Sequence, residues 1–111
     1  MKKAVYYKKS NGRKPVNEFI NGLPETSQAR IVKTIELLED YGLAIGMPHL
    51  KPLKGVRSGW ELRVKADDHF YRFGFRIIQG TPIIVHGFVK KTNRIDAKDL
   101  AIIKKRFKEI E

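Results

Sequence analysis

Between Lys51 and Lys91 the chain places nine basic residues (Lys51, Lys54, Arg57, Arg63, Lys65, Arg72, Arg76, Lys90, Lys91) against three acidic ones (Glu61, Asp67, Asp68). That excess is more than half of the formal charge of +11. Arginine offers a planar fork of donors that matches phosphate oxygens, and lysine offers a compact point charge. Spacing adds to the argument. The run Trp60-Glu-Leu-Arg-Val-Lys65 alternates, so Trp60, Leu62 and Val64 share one strand face and Glu61, Arg63 and Lys65 the other. The run Phe70 to Ile78 likewise sets Arg72, Gly74 and Arg76 on a common face. Two guanidinium groups side by side on neighbouring strands repel each other unless an anion lies between them, and a phosphate is the natural guest. For any one cation, a solvated surface role is the commoner one; the inference rests on the set.

Proton transfer needs a different inventory. His86 lies in an apolar strand, where a near-neutral pKa suits acid–base work, although a strand histidine satisfied by a neighbour is the commoner situation. Glu61, on the face of Arg63, is either a general base or the salt-bridge partner that orients an arginine. His49 and His69 fall in a loop and a turn. No cysteine, H-x-x-x-H pair or carboxylate cluster points to a metal site. There is no Gly-rich phosphate loop, nucleophile elbow or nucleotide fingerprint. Aromatic residues alternate with the cations, as in stacking platforms for unpaired bases and equally in ordinary strand cores. Trp60, Phe73, Phe75 and Phe88 read as core, which leaves Tyr7 and Tyr71 as the candidate stackers.

The elements that must position these groups follow from periodicity. A chain of 111 residues with 41% apolar content is expected to form one domain, residues 1–111. Lys3 to Lys8 reads as a first strand. Pro15 opens a short helix with Val16, Phe19 and Ile20 on one side, ended by Gly22. Pro24 and Glu25 start a longer helix marked by Ile31, Ile35 and Leu38, stopping at Tyr41-Gly42. The two are expected to pair as a helical hairpin.

Residues 42–59 are rich in Gly and Pro and read as a loop containing a short extended piece at Leu50–Leu53. Three strands then follow, Trp60–Lys65, Phe70–Ile78 and Pro82–Lys90, joined by short turns as an antiparallel meander. Asp96 caps a last helix whose buried side is Leu100, Ile103, Phe107 and Ile110. The order β-α-α-β-β-β-α predicts an α+β fold, an antiparallel sheet with helices on one face and a groove open on the other. The charge points to a polyanion, with nucleic acid favoured over an acidic protein or a membrane surface. Without a signal-peptide or membrane-span pattern, a cytoplasmic location is expected.

Leu53-Lys-Gly, Trp60-Glu-Leu-Arg63, Phe70-Tyr-Arg72 and His86-Gly-Phe-Val-Lys-Lys-Thr92 before a terminal helix resemble the phage-derived, HigB-like branch of the RelE/ParE toxin superfamily of type II toxin–antitoxin systems. The resemblance spans nearly the whole chain. It implies a ribosome-dependent mRNA endonuclease needing no metal or other cofactor. In that chemistry the ribose 2′-OH attacks the adjacent phosphate, leaving a cyclic phosphate and a free 5′-OH. It also implies a cognate antitoxin, commonly a helix-turn-helix protein.

Position by position, the resemblance assigns Arg72 and Arg63 to the scissile phosphate and Lys91 to the basic position closing the last strand. Lys90 and Lys54 are assigned to RNA or ribosomal RNA contacts; apart from the resemblance, Arg76 and Lys65 stand as further candidate RNA-binding cations on the strands. Several members carry a catalytic tyrosine near the start of the last helix. Here the stretch Thr92-Asn-Arg-Ile-Asp-Ala-Lys-Asp99 has none. The general base is therefore open between His86, Glu61 and a lysine of lowered pKa. Two further readings stand beside the endonuclease: a gyrase inhibitor of the ParE type on the same fold, and an RNA- or ribosome-binding module that has lost catalysis.

Overall fold

The structure, a computed structural model, describes residues 2–110. Strand β1 (Val5–Tyr6) is followed by helices α1 (Pro15–Asn21) and α2 (Glu25–Tyr41) and a 3-10 turn (Gly42–Ile45). Strands β2 (Leu50–Pro52), β3 (Trp60–Ala66), β4 (His69–Ile78) and β5 (Thr81–Val89) come next, then helix α3 (Ala97–Ile110). The five strands form one sheet in the order β1-β5-β4-β3-β2. Among the described residues, no helix is long and apolar enough to cross a membrane.

This α+β architecture departs from the sequence expectation in three ways. The sheet is mixed: β1 returns beside β5 and runs parallel to it, pairing Val5 with Ile83 and Tyr6 with Ile84, while the other pairs are antiparallel. The extended piece at Leu50–Leu53 is a fifth strand, registered on β3 through Leu50–Leu62, Lys51–Glu61 and Pro52–Trp60. The helices also cover both faces of the sheet. Strand patterns show which residues share a face, but not which face a distant helix will choose, so α3 was the element least constrained in advance.

One face carries Leu62, Val64, Tyr71, Phe73, Phe75 and Ile84, packed against Val16 and Ile20 of α1 and Ile31, Ile35 and Leu38 of α2. Here α1 lies against β5 and α2 against β3, with lighter contact between the two helices than the expected hairpin requires. The opposite face carries a second apolar cluster of Tyr7, Leu53, Val85, Phe88, Ile103 and Phe107, which holds α3. Polar ties fasten α3 along its length. His86 Nε2 lies 2.8 Å from Asp99 Oδ1, Arg106 Nη1 donates to the Val85 carbonyl at 2.7 Å, and the Tyr7 hydroxyl donates to Glu109 at 2.7 Å.

A β-bulge makes this second face. Gly74 pairs with His86, but the next residue, Phe75, pairs with Ile84, so Val85 is an extra residue in β5. Val85 joins the α3 cluster and its neighbour His86 also reaches α3, which strict alternation forbids. Close approach requires glycine at position 74, because a Cβ there would stand 2.7 Å from Cδ1 of Ile103. Gly74→Ala is therefore expected to lower stability by roughly 1–3 kcal/mol through overpacking, measured as a reduced urea midpoint. An unchanged midpoint would show that α3 does not seat on this residue.

Candidate nucleic-acid interface

The β3–β4 ladder sets the site. Away from α1 and α2, cross-strand pairs run Lys65–Phe70, Arg63–Arg72 and Glu61–Gly74. Ile103 of α3 covers Gly74. On either side of Arg72 the surface opens into two clefts. The larger, about 740 Å³, lies between β2 and its following turn (Lys51, Lys54), the sheet floor (Glu61, Arg72, Phe88) and the segment leading into α3 (Asn93, Arg94, Ile95). The smaller, about 310 Å³, is bounded by Arg63, Phe70, Lys91 and Thr92. Arg72, Lys90 and Asn93 line both.

Charge is crowded there. Arg72 is 3% exposed, and its Nε stands 3.1 Å from Glu61 Oε1, off the line of a good hydrogen bond, so opposite charge is what holds the pair. Its Nη1 donates to the Tyr71 carbonyl at 3.0 Å. The Arg63 Nε is 3.9 Å from the same Glu61 oxygen, and the Arg63 side chain is a quarter exposed. The anion expected between the two guanidinium groups is thus supplied in part by the protein itself. Burial, and secondly the charge of Arg63, push the Arg72 pKa down against the pull of Glu61. The Lys90 ammonium is pushed down by burial, then by Arg72 and Arg63. Burial is the larger cause in both. The charge surplus is seen in the geometry, with Arg63, Arg72 and Lys90 gathered around the one carboxylate of Glu61, the condition for holding an external anion.

The structure brings Arg63, Arg72, Glu61, Lys54, Lys90 and Lys91 around these two clefts. Three other candidates lie elsewhere. Arg76 is on the same sheet face but beneath α3, stacked over Phe107 at 4.3 Å and donating to the Arg57 carbonyl at 2.7 Å. Lys65 sits at the outer rim, 5.4 Å from the Phe70 ring centroid. His86 lines neither cleft; its imidazole stacks on Phe88 and is tied to Asp99. Burial lowers its pKa despite the carboxylate, so the neutral ring donates through Nε2.

The candidate stackers are also corrected. Tyr71 is 1% exposed and donates to Ser27 Oγ at 2.9 Å, and Tyr7 is 9% exposed and bonded to Glu109. Tyr71 falls on the helix-covered face because it is one residue out of phase with Arg72. The same parity identifies Phe70 as the aromatic on the cationic face, a signal present in the alternation. Lys51, Asn93 and Arg94 were also missed as cleft residues. Lys51 becomes legible only once β2 pairs with β3, and the other two lie in a loop without periodicity.

Two outcomes follow. Glu61→Gln, leaving two arginines without their counter-charge, is expected to lose roughly 1–3 kcal/mol, with part of the loss restored by millimolar inorganic phosphate in thermal unfolding. A variant as stable as the parent, indifferent to phosphate, would contradict the charge balance described. For His86, the unfolded chain binds a proton more readily than the folded one, so stability falls as pH drops below the ordinary value of 6.5. His86→Gln is expected to flatten that part of a urea-derived stability profile.

Residues 18–108 match the family described as Phage derived protein Gp49-like (DUF891). No curated protein matches the chain closely enough to count as a relative. The match covers the last part of α1, the whole of α2, every strand but the first and most of α3, including every residue of the two clefts. The chain therefore belongs to the Gp49-like family of phage-derived proteins, within the RelE/toxin-like superfamily.

Proposed function

We propose that the protein is a HigB-like toxin of a type II toxin–antitoxin system, acting as a ribosome-dependent mRNA endonuclease that halts translation. The observation that carries this reading is the pairing of Arg63 with Arg72 across β3–β4, with Lys90 beside them where the two clefts meet. Family membership supports it. Cations held on strands are pre-positioned for charge that develops during reaction, which is where electrostatic catalysis gains most.

In this reading the RNA backbone crosses the two clefts and one phosphate rests over Arg72. The ribose 2′-oxygen attacks phosphorus as its proton leaves, and the bond from phosphorus to the 5′-oxygen breaks. The products are a 2′,3′-cyclic phosphate and a 5′-hydroxyl. Arg72 and Arg63 stabilise the extra negative charge of the five-coordinate state. Glu61 is held between the arginines as their orienting counter-ion. Lys90, whose pKa is lowered by burial and by Arg72 and Arg63 and which lines both clefts beside Arg72, is the lysine that this reading assigns to proton exchange with the reacting oxygens. Lys54 and Lys91 hold flanking mRNA or ribosomal RNA backbone. The cognate antitoxin, a helix-turn-helix protein in this reading, presents carboxylates to the same clefts, and the site of action is the cytoplasm, where ribosomes are.

Mapping mRNA 5′ ends in a cell-free translation reaction, with and without ribosomes, tests the proposal. New cuts that need ribosomes are expected, falling about 10²–10³-fold for Arg72→Lys. Because Arg72 is buried, the more exposed Arg63→Ala and Lys90→Ala serve as folded controls and should also cut slowly. Arrested growth without cuts, together with inhibited supercoiling by gyrase, would replace this reading with the gyrase-inhibitor one. Ribosome binding without cuts would leave an RNA-binding module.

A further inference from the structure

Phe70 departs from the packing of its fellow strand phenylalanines. Phe73 and Phe75 are fully buried and Phe88 is 8% exposed, whereas Phe70 is 44% exposed. It is not at a loose end of the chain. It lies in β4, registered on Lys65, and its carbonyl accepts the Lys90 N–H at 2.7 Å, so its backbone is fixed from both sides. It lines the smaller cleft together with the Lys91-Thr92-Asn93 segment. Cations flank it, with Lys65 Nζ at 5.4 Å and the Arg72 guanidinium carbon at 6.0 Å from the ring centroid.

A water-exposed ring, rigidly held between cations, suits a ligand that is flat and polarisable on one side and anionic on the other. Unpaired nucleotides have that character. Phe70 and Arg72 are two residues apart on one strand face, roughly 7 Å, a separation that one nucleotide bridges between its base and a neighbouring phosphate. We infer that Phe70 is the stacking platform for a nucleobase adjoining the phosphate held at Arg72, so that the smaller cleft is a base subsite. This rests on the RNA reading above and adds a positioning residue to it. A stacked base orients the ribose next to it, and the ring accepts any base because each has a π-face.

The test uses the full chain and a five-nucleotide 2′-O-methyl RNA, which cannot be cut by its own 2′-oxygen, carrying 2-aminopurine beside the central phosphate. Saturable quenching of 2-aminopurine is expected with the wild-type protein and with Phe70→Trp. Phe70→Leu, which keeps apolar bulk but no ring, should lose most of the quenching and bind about 10-fold more weakly. An otherwise identical oligonucleotide with an abasic site should bind both proteins equally. Equal quenching by wild type and Phe70→Leu would overturn the base subsite alone, leaving the ring for packing under a protein partner. Failure of the wild-type protein to bind either oligonucleotide would overturn the subsite, whereas the RNA reading falls only if the cell-free reaction also shows no ribosome-dependent cuts.

Discussion

Arg72 is a guanidinium almost removed from water, and a charge in that position must be met by opposite charge and hydrogen bonds. Much of the cationic face is organised around that requirement. Glu61 reaches it from β3, the Tyr71 carbonyl accepts one of its protons, and Phe88 walls it on the other side. Glu61 is shared with Arg63, so the compensation is incomplete. A fully neutralised arginine would be a structural pin. One left short of negative charge, at the junction of two clefts, is a pin that also attracts anions.

The two helical layers make such an arrangement affordable in stability. With α1 and α2 packed over one face, the sheet has a complete apolar core that does not depend on the cationic side. With α3 over part of the other face, a second cluster packs Ile103 against Gly74 while Arg63, Arg72 and Phe70 line the cleft beyond it. Stability and site are thus separated along β4, the strand that contributes to both.

Much of the site was legible in the sequence because alternation is a strict geometric rule. Placing Arg63 and Arg72 together needed only the parity of two strands and a short turn between them. The same rule, carried one residue further, should have preferred Phe70 to Tyr71 as the exposed aromatic. The parallel β1–β5 pair, the fifth strand at Leu50–Pro52 and the choice of sheet face by α3 are decided by contacts distant in sequence. His86 shows the limit most clearly. Its strand position was evident, but its attachment to Asp99 depends on where α3 docks and on an extra residue in β5 that no composition or period reveals.

That extra residue has a consequence beyond the core. Every residue of β5 after Val85 is set back by one place relative to β4, so the bulge sets the phase in which the strand delivers Lys90 and Lys91. In the phase adopted, Lys90 meets Arg72 in both clefts and Lys91 touches only the smaller one. Two adjacent lysines that look interchangeable in sequence are therefore distinguished by a count made five residues earlier. Without that extra residue, Val89 would stand where the strand now presents Lys90, and Lys90 where it now presents Lys91.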